Sequence, residues 1–145
     1  MARLHVLTCV RYPSCLRRLW GWAKARCGDP HRFFRHAFVL NYCPQVWMNA
    51  TGGNMTPDKL EAKYRKQVLE ACDDALRRTL ELLKPEMAVG VGVFAVDRIK
   101  AVAPPGLKIA KLPHPSPASP AANKDWPGQA DAAMRAAGID MSTWE

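Results

Sequence analysis

Residues 1 to 15, MARLHVLTCVRYPSC, carry no clear hydrophobic period, and Pro13 is expected to break any helix there. The first pattern lies in RRLWGWAKARCG, where Leu19, Trp22, Ala23 and Arg26 recur at helical spacing and Gly28 supplies a stop. PHRFFRH reads as a short turn or helix start. AFVLNY, residues 37 to 42, is a short apolar run closed by Cys43 and Pro44, which predicts a buried strand. NATGGNM, residues 49 to 55, reads as a flexible loop with paired glycines. The longest period follows. Thr56 suits an N-cap, Pro57 the first helical position and Asp58 the positive helix end. Leu60, Tyr64, Val68, Cys72, Leu76, Leu80 and Leu83 then line one helical face until Lys84 and Pro85 end it. EMAVGVG (86 to 92) predicts a second buried strand feeding a helix over VFAVDRIKAV, and Pro104-Pro105-Gly106 breaks the chain. LKIAKL (107 to 112) predicts a third strand that delivers His114, and a last helix covers Ala121 to Ala137, weakened at Pro127-Gly128. Helices alternating with strands predict an α/β layer fold with a mainly parallel sheet.

Charge changes this picture. The net charge is +8, but residues 1 to 50 hold eight Lys/Arg and one acid, while residues 51 to 145 hold thirteen and twelve. A basic half on a neutral half suggests a polyanionic partner, nucleic acid first. An N-terminal import peptide is the alternative, since acid-poor, Arg-bearing starts are typical of one; the stretch is Ser-poor, and LWGWA reads as packing material. The 145 residues fit one domain. No apolar run approaches the roughly 20 residues of a membrane span, so a soluble protein is expected. Five irregularly spaced cysteines, without a C-x-x-C or a Cys/His cluster, predict reduced thiols and no metal site.

Folds of this class bind ligands at the carboxyl ends of their strands. Two side chains fall there. His114 stands between Pro113 and Pro115, in a loop whose prolines restrict the backbone. A fixed imidazole can donate to developing negative charge without reorganising; the alternative is a histidine that caps a tight turn. Asn41 ends the first predicted strand, and its carboxamide can pair with the Watson-Crick edge of a base; the alternative is a turn residue ahead of Pro44. Gly90-Val91-Gly92 lacks the third glycine and the distal acid of a dinucleotide site, so it reads as close strand-helix packing. Glu70, Asp73 and Asp74 read as a solvated helix face. Trp20, Trp22, Trp47 and Trp126 read as core or rim, with Trp47 a candidate base-stacking platform.

Taken in order, LWGW, FFRHAFVLNYCP, GGNMTPDKL, VGVGVFA and LPHPSPASPAANKDW resemble the single-strand-selective monofunctional uracil-DNA glycosylases, over about residues 17 to 138. The resemblance implies a three-layer sandwich with a mainly parallel central sheet. It implies hydrolysis of the bond joining uracil, or 5-hydroxymethyluracil, to deoxyribose, with the base flipped into a pocket. Asn41 matches the asparagine that reads uracil's polar edge, and His114 the histidine that bonds the uracil oxygen as charge grows. Ser116, Pro117, Ala118, Ser119 and Pro120 match the loop that wedges into the duplex; the family often carries arginine where Ala118 stands, so the wedge is blunter. The segment Thr51 to Arg65 matches a DNA-contacting stretch, with Thr51, Gly52, Gly53, Asn54, Lys59, Lys63 and Arg65 as contacts. No cofactor or metal is expected. The expected partner is uracil-containing single- or double-stranded DNA, not a membrane, bound by a monomer, in the cytoplasm if bacterial or the nucleus if eukaryotic.

One departure stands out. The family's Gly-Met-Asn-Pro-Gly stretch, whose asparagine positions the attacking water, has no match in residues 1 to 16. The resemblance therefore implies a chain truncated at its amino end. Residues 1–16 are expected to be irregular and atypical, and 17–145 a partial glycosylase-like domain lacking the family's first strand and so exposing an unpaired sheet edge. A non-catalytic DNA-binding fragment of that family, or an unrelated α/β protein with a structural PHPSP turn, are the other readings.

Overall fold

The computed structural model describes residues 5–8, 13–117 and 120–144. Four parallel strands form the sheet: β1 (His5–Thr8), β2 (Ala37–Leu40), β5 (Met87–Val91) and β6 (Lys108–Leu112), in the order β2-β1-β5-β6. A two-residue antiparallel hairpin, β3 (Trp47–Met48) and β4 (Asn54–Met55), stands apart from it. The helices are α1 (Pro13–Cys27), α2 (Pro30–His36), α3 (Ala62–Leu83), α4 (Val93–Val102) and α5 (Pro120–Ala136).

Strand alternation makes three layers. On β5, Met87, Val89 and Val91 face a core shared with Leu19, Trp22, Phe33, Trp126 and Met134 from α1, α2 and α5. Ala88 faces the opposite core, with Cys72, Leu76 and Leu80 of α3 and Ile99 of α4. Side chains on successive strand residues point to opposite faces, so a strand with apolar residues at every position is covered on both sides. The first core is closed by Trp22 and Trp126, edge to face with ring centroids 5.8 Å apart, a favoured aromatic geometry. Beside it, Asp131 of α5 accepts from Trp22 Nε1 at 2.7 Å and from Arg26 Nε at 2.9 Å, tying α1 to α5.

Several expectations are corrected. Residues 1–16 are not irregular throughout. His5–Thr8 pairs in parallel with both β2 and β5, so β1 is an interior strand and leaves no unpaired edge at that place. Pro13 does not break a helix; it is the first residue of α1, where the missing N–H is no loss. The helix predicted from Pro57 is two pieces. Pro57–Lys59 is a tight turn with Lys59 N–H on Thr56 O, Leu60 and Glu61 are extended, and α3 starts at Ala62; such tight turns seldom propagate. Strand β2 lies at a sheet edge and is only partly buried, with Phe38 40% exposed. Helix α5 kinks at Asp125, whose carboxylate accepts from Gly128 N–H at 3.0 Å and caps the second half. That cap, with Pro127 in the first turn after it, starts a second helical piece, so the single helix expected over Ala121 to Ala137 is two pieces joined at Asp125.

Candidate active site

Pairing register sets the height of the site. Leu40, Thr8, Gly90 and Lys111 lie in one row across the sheet. Asn41 stands one residue above that row, just past the end of β2. His114 stands three above it, past β6. These are the two edge strands, separated by β1 and β5, so three strand spacings set the walls about 14 Å apart. The chain order reverses between β1 and β5, the position where open α/β sheets form a ligand crevice. Asn41 is exposed and His114 half-buried.

His114 is seated from two sides. The imidazole packs on Gly92: a Cβ built there would lie 3.1 Å from His114 Cδ2 and 3.2 Å from its Cβ. Gly92 has φ +91° and donates its N–H to Leu112 O at 2.8 Å, extending the β5–β6 pairing to the foot of the loop. Gly90, two residues earlier, serves a different contact, because its Cβ would meet the backbone N of Val96 at 2.6 Å. The expected close strand-helix packing is therefore Gly90's role, and Gly92 is spent on the histidine. On the other side the loop is anchored through its carbonyls. Trp126 Nε1 donates to Pro113 O at 2.9 Å, Arg18 Nη1 to Pro115 O at 3.3 Å and Asn123 Nδ2 to Pro117 O at 2.8 Å. Burial holds the His114 pKa below the usual histidine range, which keeps the ring neutral at physiological pH with one N–H to donate.

The Asn41 wall is fixed by its neighbour. Tyr42 is buried, and its hydroxyl donates to Asp73 Oδ1 of α3 at 2.7 Å, with Leu69 O at 3.2 Å. Arg98 of α4 completes the group, with Nε 3.0 Å from Asp73 Oδ1 and an ion pair to Oδ2. Burial, then the Asp73 carboxylate, pushes the Tyr42 phenol well above the usual tyrosine range. Asp73 is thus part of an interior network and not of a solvated face. The Tyr42 ring meets Phe94 edge to face at 5.4 Å. The first turn of α4 therefore joins the two walls: Phe94 supports the Asn41 side and Gly92 the His114 side.

Residues 49–55, expected to be a flexible loop, form a hydrogen-bonded turn that leads from β3 into β4. Asn49 Oδ1 accepts from Thr51 N–H at 3.1 Å, Thr51 Oγ1 at 2.8 Å and Gly53 N–H at 2.6 Å, and Gly52 N–H bonds Asn49 O at 3.0 Å. The turn's backbone donors point inward, which leaves side chains to meet a ligand. Lys59 is exposed, and so is Lys63, whose Nζ lies 5.6 Å from the centre of the Tyr64 ring. Arg65 is exposed at the start of α3, and the Asn54 side chain lies outside the described residues. Trp47 is half-buried and pairs with Met55 in the hairpin. Of the wedge residues, Ser116 is half-buried, Pro117 and Pro120 are exposed, and Ala118 and Ser119 lie outside the described residues.

Sequence patterns missed Arg18, Asn123, Tyr42 and Asn49, and gave Gly92 only a strand-helix packing role. One signal was present. A Pro-x-Pro-x-Pro run has few N–H donors of its own, so donors must come from elsewhere to meet its carbonyls.

Comparison with known proteins agrees with this architecture. A model of the uracil DNA glycosylase superfamily matches residues 12–136. The chain is 46% identical over 112 residues to the single-strand selective monofunctional uracil-DNA glycosylase of Rattus norvegicus, covering 75% of this chain and 40% of that protein. It is 42% identical over 125 residues to the Mus musculus protein of the same name, covering 84% of this chain and 45% of the relative, and likewise 42% identical to that of Bos taurus. The chain spans about half the length of these curated relatives. With a parallel α/β sheet whose two edge strands raise Asn41 and His114 at one end, and with a family match running from α1 to the end of α5, this chain belongs to the uracil DNA glycosylase superfamily.

Proposed function

We propose that this chain recognises uracil in DNA and releases it from deoxyribose by hydrolysis of the N-glycosidic bond, the first step of base excision repair, with 5-hydroxymethyluracil as a second substrate. The reading is supported above all by Asn41 and His114 standing at the same end of one sheet, about three strand spacings apart, room for a flat base between two side chains. A base inside a stack cannot reach such a crevice, so the nucleotide is flipped out. The Asn41 carboxamide supplies one donor and one acceptor, which matches the N3–H and O4 of uracil. As the N1–C1′ bond breaks, its electron pair moves onto the base and negative charge grows on a carbonyl oxygen of uracil; a water adds its oxygen to C1′, and the proton it loses neutralises the departing base. A neutral His114 donates its N–H to that carbonyl oxygen. Because the ring is already seated, little reorganisation opposes this, which is the condition for strong electrostatic stabilisation. Lys59, Lys63 and Arg65 supply positive charge for phosphates, a contribution that is sequence-neutral and weakens with salt. Ser116 to Pro120, extending from the His114 loop, form the wedge that holds the vacated stack open.

The test is incubation with a uracil-containing single-stranded oligonucleotide followed by alkaline cleavage at abasic sites. The expected result is strand cleavage that falls about 10²–10³-fold in His114→Ala and also falls in Asn41→Ala. Wild-type yield equal to that of His114→Ala refutes the catalytic role. Salt-sensitive binding without base release then identifies a DNA-binding member of the superfamily.

A further inference from the structure

We propose that Arg18 is a positioning residue for His114, acting together with Asn123 by fixing the carbonyls of the proline loop. The role as a positioning residue rests on the functional reading above; the structural part does not.

Proline locks φ at Pro113, Pro115 and Pro117 but leaves ψ free. The direction of a residue's carbonyl is set by ψ, so a donor on that carbonyl removes the remaining freedom. Each of the three prolines has one: Trp126 Nε1 on Pro113 O, Arg18 Nη1 on Pro115 O and Asn123 Nδ2 on Pro117 O. Prolines alone do not make this loop rigid; prolines with anchored carbonyls do. Arg18 governs two of the three anchors. Its second amino group, Nη2, donates to Asn123 Oδ1 at 2.8 Å, which turns the Asn123 amide nitrogen toward Pro117 O. Pro115 is among the most fully buried residues of the chain, so its carbonyl needs a protein donor. His114 lies between the Trp126 and Arg18 anchors, with Gly92 against its ring. A loop released at Pro115 and Pro117 lets the ring lift from Gly92, and misplacement by about 1 Å can lower a rate about 10²-fold.

Lysine cannot reproduce this geometry, because one ammonium does not replace the two nitrogens of a planar fork. Steady-state kinetics on a uracil oligonucleotide test the idea with Arg18→Gln, Arg18→Lys and Asn123→Ala, each also combined with His114→Ala. The expected outcome is a fall of about 10–10²-fold in kcat for both Arg18 variants, with KM within about twofold. A smaller fall is expected for Asn123→Ala, and less than about a twofold further loss in the His114→Ala background. Full rescue by Arg18→Lys, or an effect confined to KM and abolished by salt, overturns the proposal in favour of a phosphate contact. Equal losses with and without His114 overturn it in favour of a purely structural role.

A second readout is independent of turnover. In Arg18→Gln and Asn123→Ala the Trp126 indole N–H exchanges faster with solvent and the His114 ring resonances shift, while the Trp22 indole N–H, bonded to Asp131, is unchanged. Unchanged Trp126 and His114 signals overturn the proposal. If the wild-type chain releases no uracil, the functional reading fails with it, and these resonances alone decide whether Arg18 holds the loop.

Discussion

Replacing Gly92 by alanine separates two effects that one glycine combines. The backbone there has φ +91°, a region costing a non-glycine residue about 1–3 kcal/mol. The new methyl would also meet His114 Cδ2 at 3.1 Å and Cβ at 3.2 Å, tighter than ordinary contact. Because the ring is backed by a loop with three anchored carbonyls, it yields poorly, and overpacking adds about 1–3 kcal/mol. Gly106 is the internal control: its φ is +83°, with nothing within 4 Å of where a Cβ would stand, and it lies in the turn before β6, at the other end of the sheet. Urea denaturation is expected to show Gly106→Ala destabilised by about 1–3 kcal/mol and Gly92→Ala by about 2–5 kcal/mol. Uracil release by the folded fraction is expected to fall about 10²-fold in Gly92→Ala and to stay near wild type in Gly106→Ala. Equal activity in the two variants refutes the seating of His114 on Gly92, and equal stability refutes the contact itself.

Other outcomes follow from the groups around Asp73 and Asp131. Tyr42→Phe removes the hydroxyl on Asp73 but leaves the Asp73–Arg98 pair; a loss of about 1.5–3 kcal/mol is expected in urea, with a drop in uracil release because Asn41 is adjacent. The hydrogen bond from Arg26 holds the Asp131 carboxyl below the usual carboxylate range, with the bond from Trp22 acting the same way. The unfolded chain therefore binds that proton more readily, so the stabilisation is present above about pH 4 and is lost as the pH falls through the lower folded-state value. Thermal melts should show a shallower acid limb in Asp131→Asn than in wild type. Burial, then the neighbouring Cys43, pushes the Cys72 thiol up to about 12, and burial also raises Cys27; peptide mapping after iodoacetamide treatment at pH 8 should find both unmodified until urea is added.

Local chemistry carried much of the architecture. The seven apolar positions from Leu60 to Leu83 predict the long helix because burial of one face requires that period. Even so, Tyr64, in the first turn of α3, is 52% exposed, and the buried part of that face is Cys72, Leu76 and Leu80. VFAVDRIKAV and LKIAKL match α4 and β6 closely, because glycine and proline punctuate both. Residues 5–8 show why short apolar runs are harder: HVLT has no period of its own and becomes a strand only through the neighbours it pairs with on both sides. Asp73 and Asn49 show the same limit for polar residues. Each has a solvated appearance in sequence, and each is defined by partners that the chain brings to it, across 31 residues for Tyr42 and Asp73 and across a single turn for Asn49.

The amino-acid sequence by itself determined the α/β class and the family resemblance, and it singled out Asn41 and His114 as candidates, because residue type and proline spacing are local properties. Tertiary structure alone decided how they are held. Whether Gly92 serves a turn or a histidine, and whether Arg18 meets a phosphate or a carbonyl, depends on contacts between residues up to about a hundred positions apart (97 for Arg18 and Pro115). Such contacts leave no periodicity in the chain, since a hydrogen bond fixes the distance between two groups in space and not their separation in sequence.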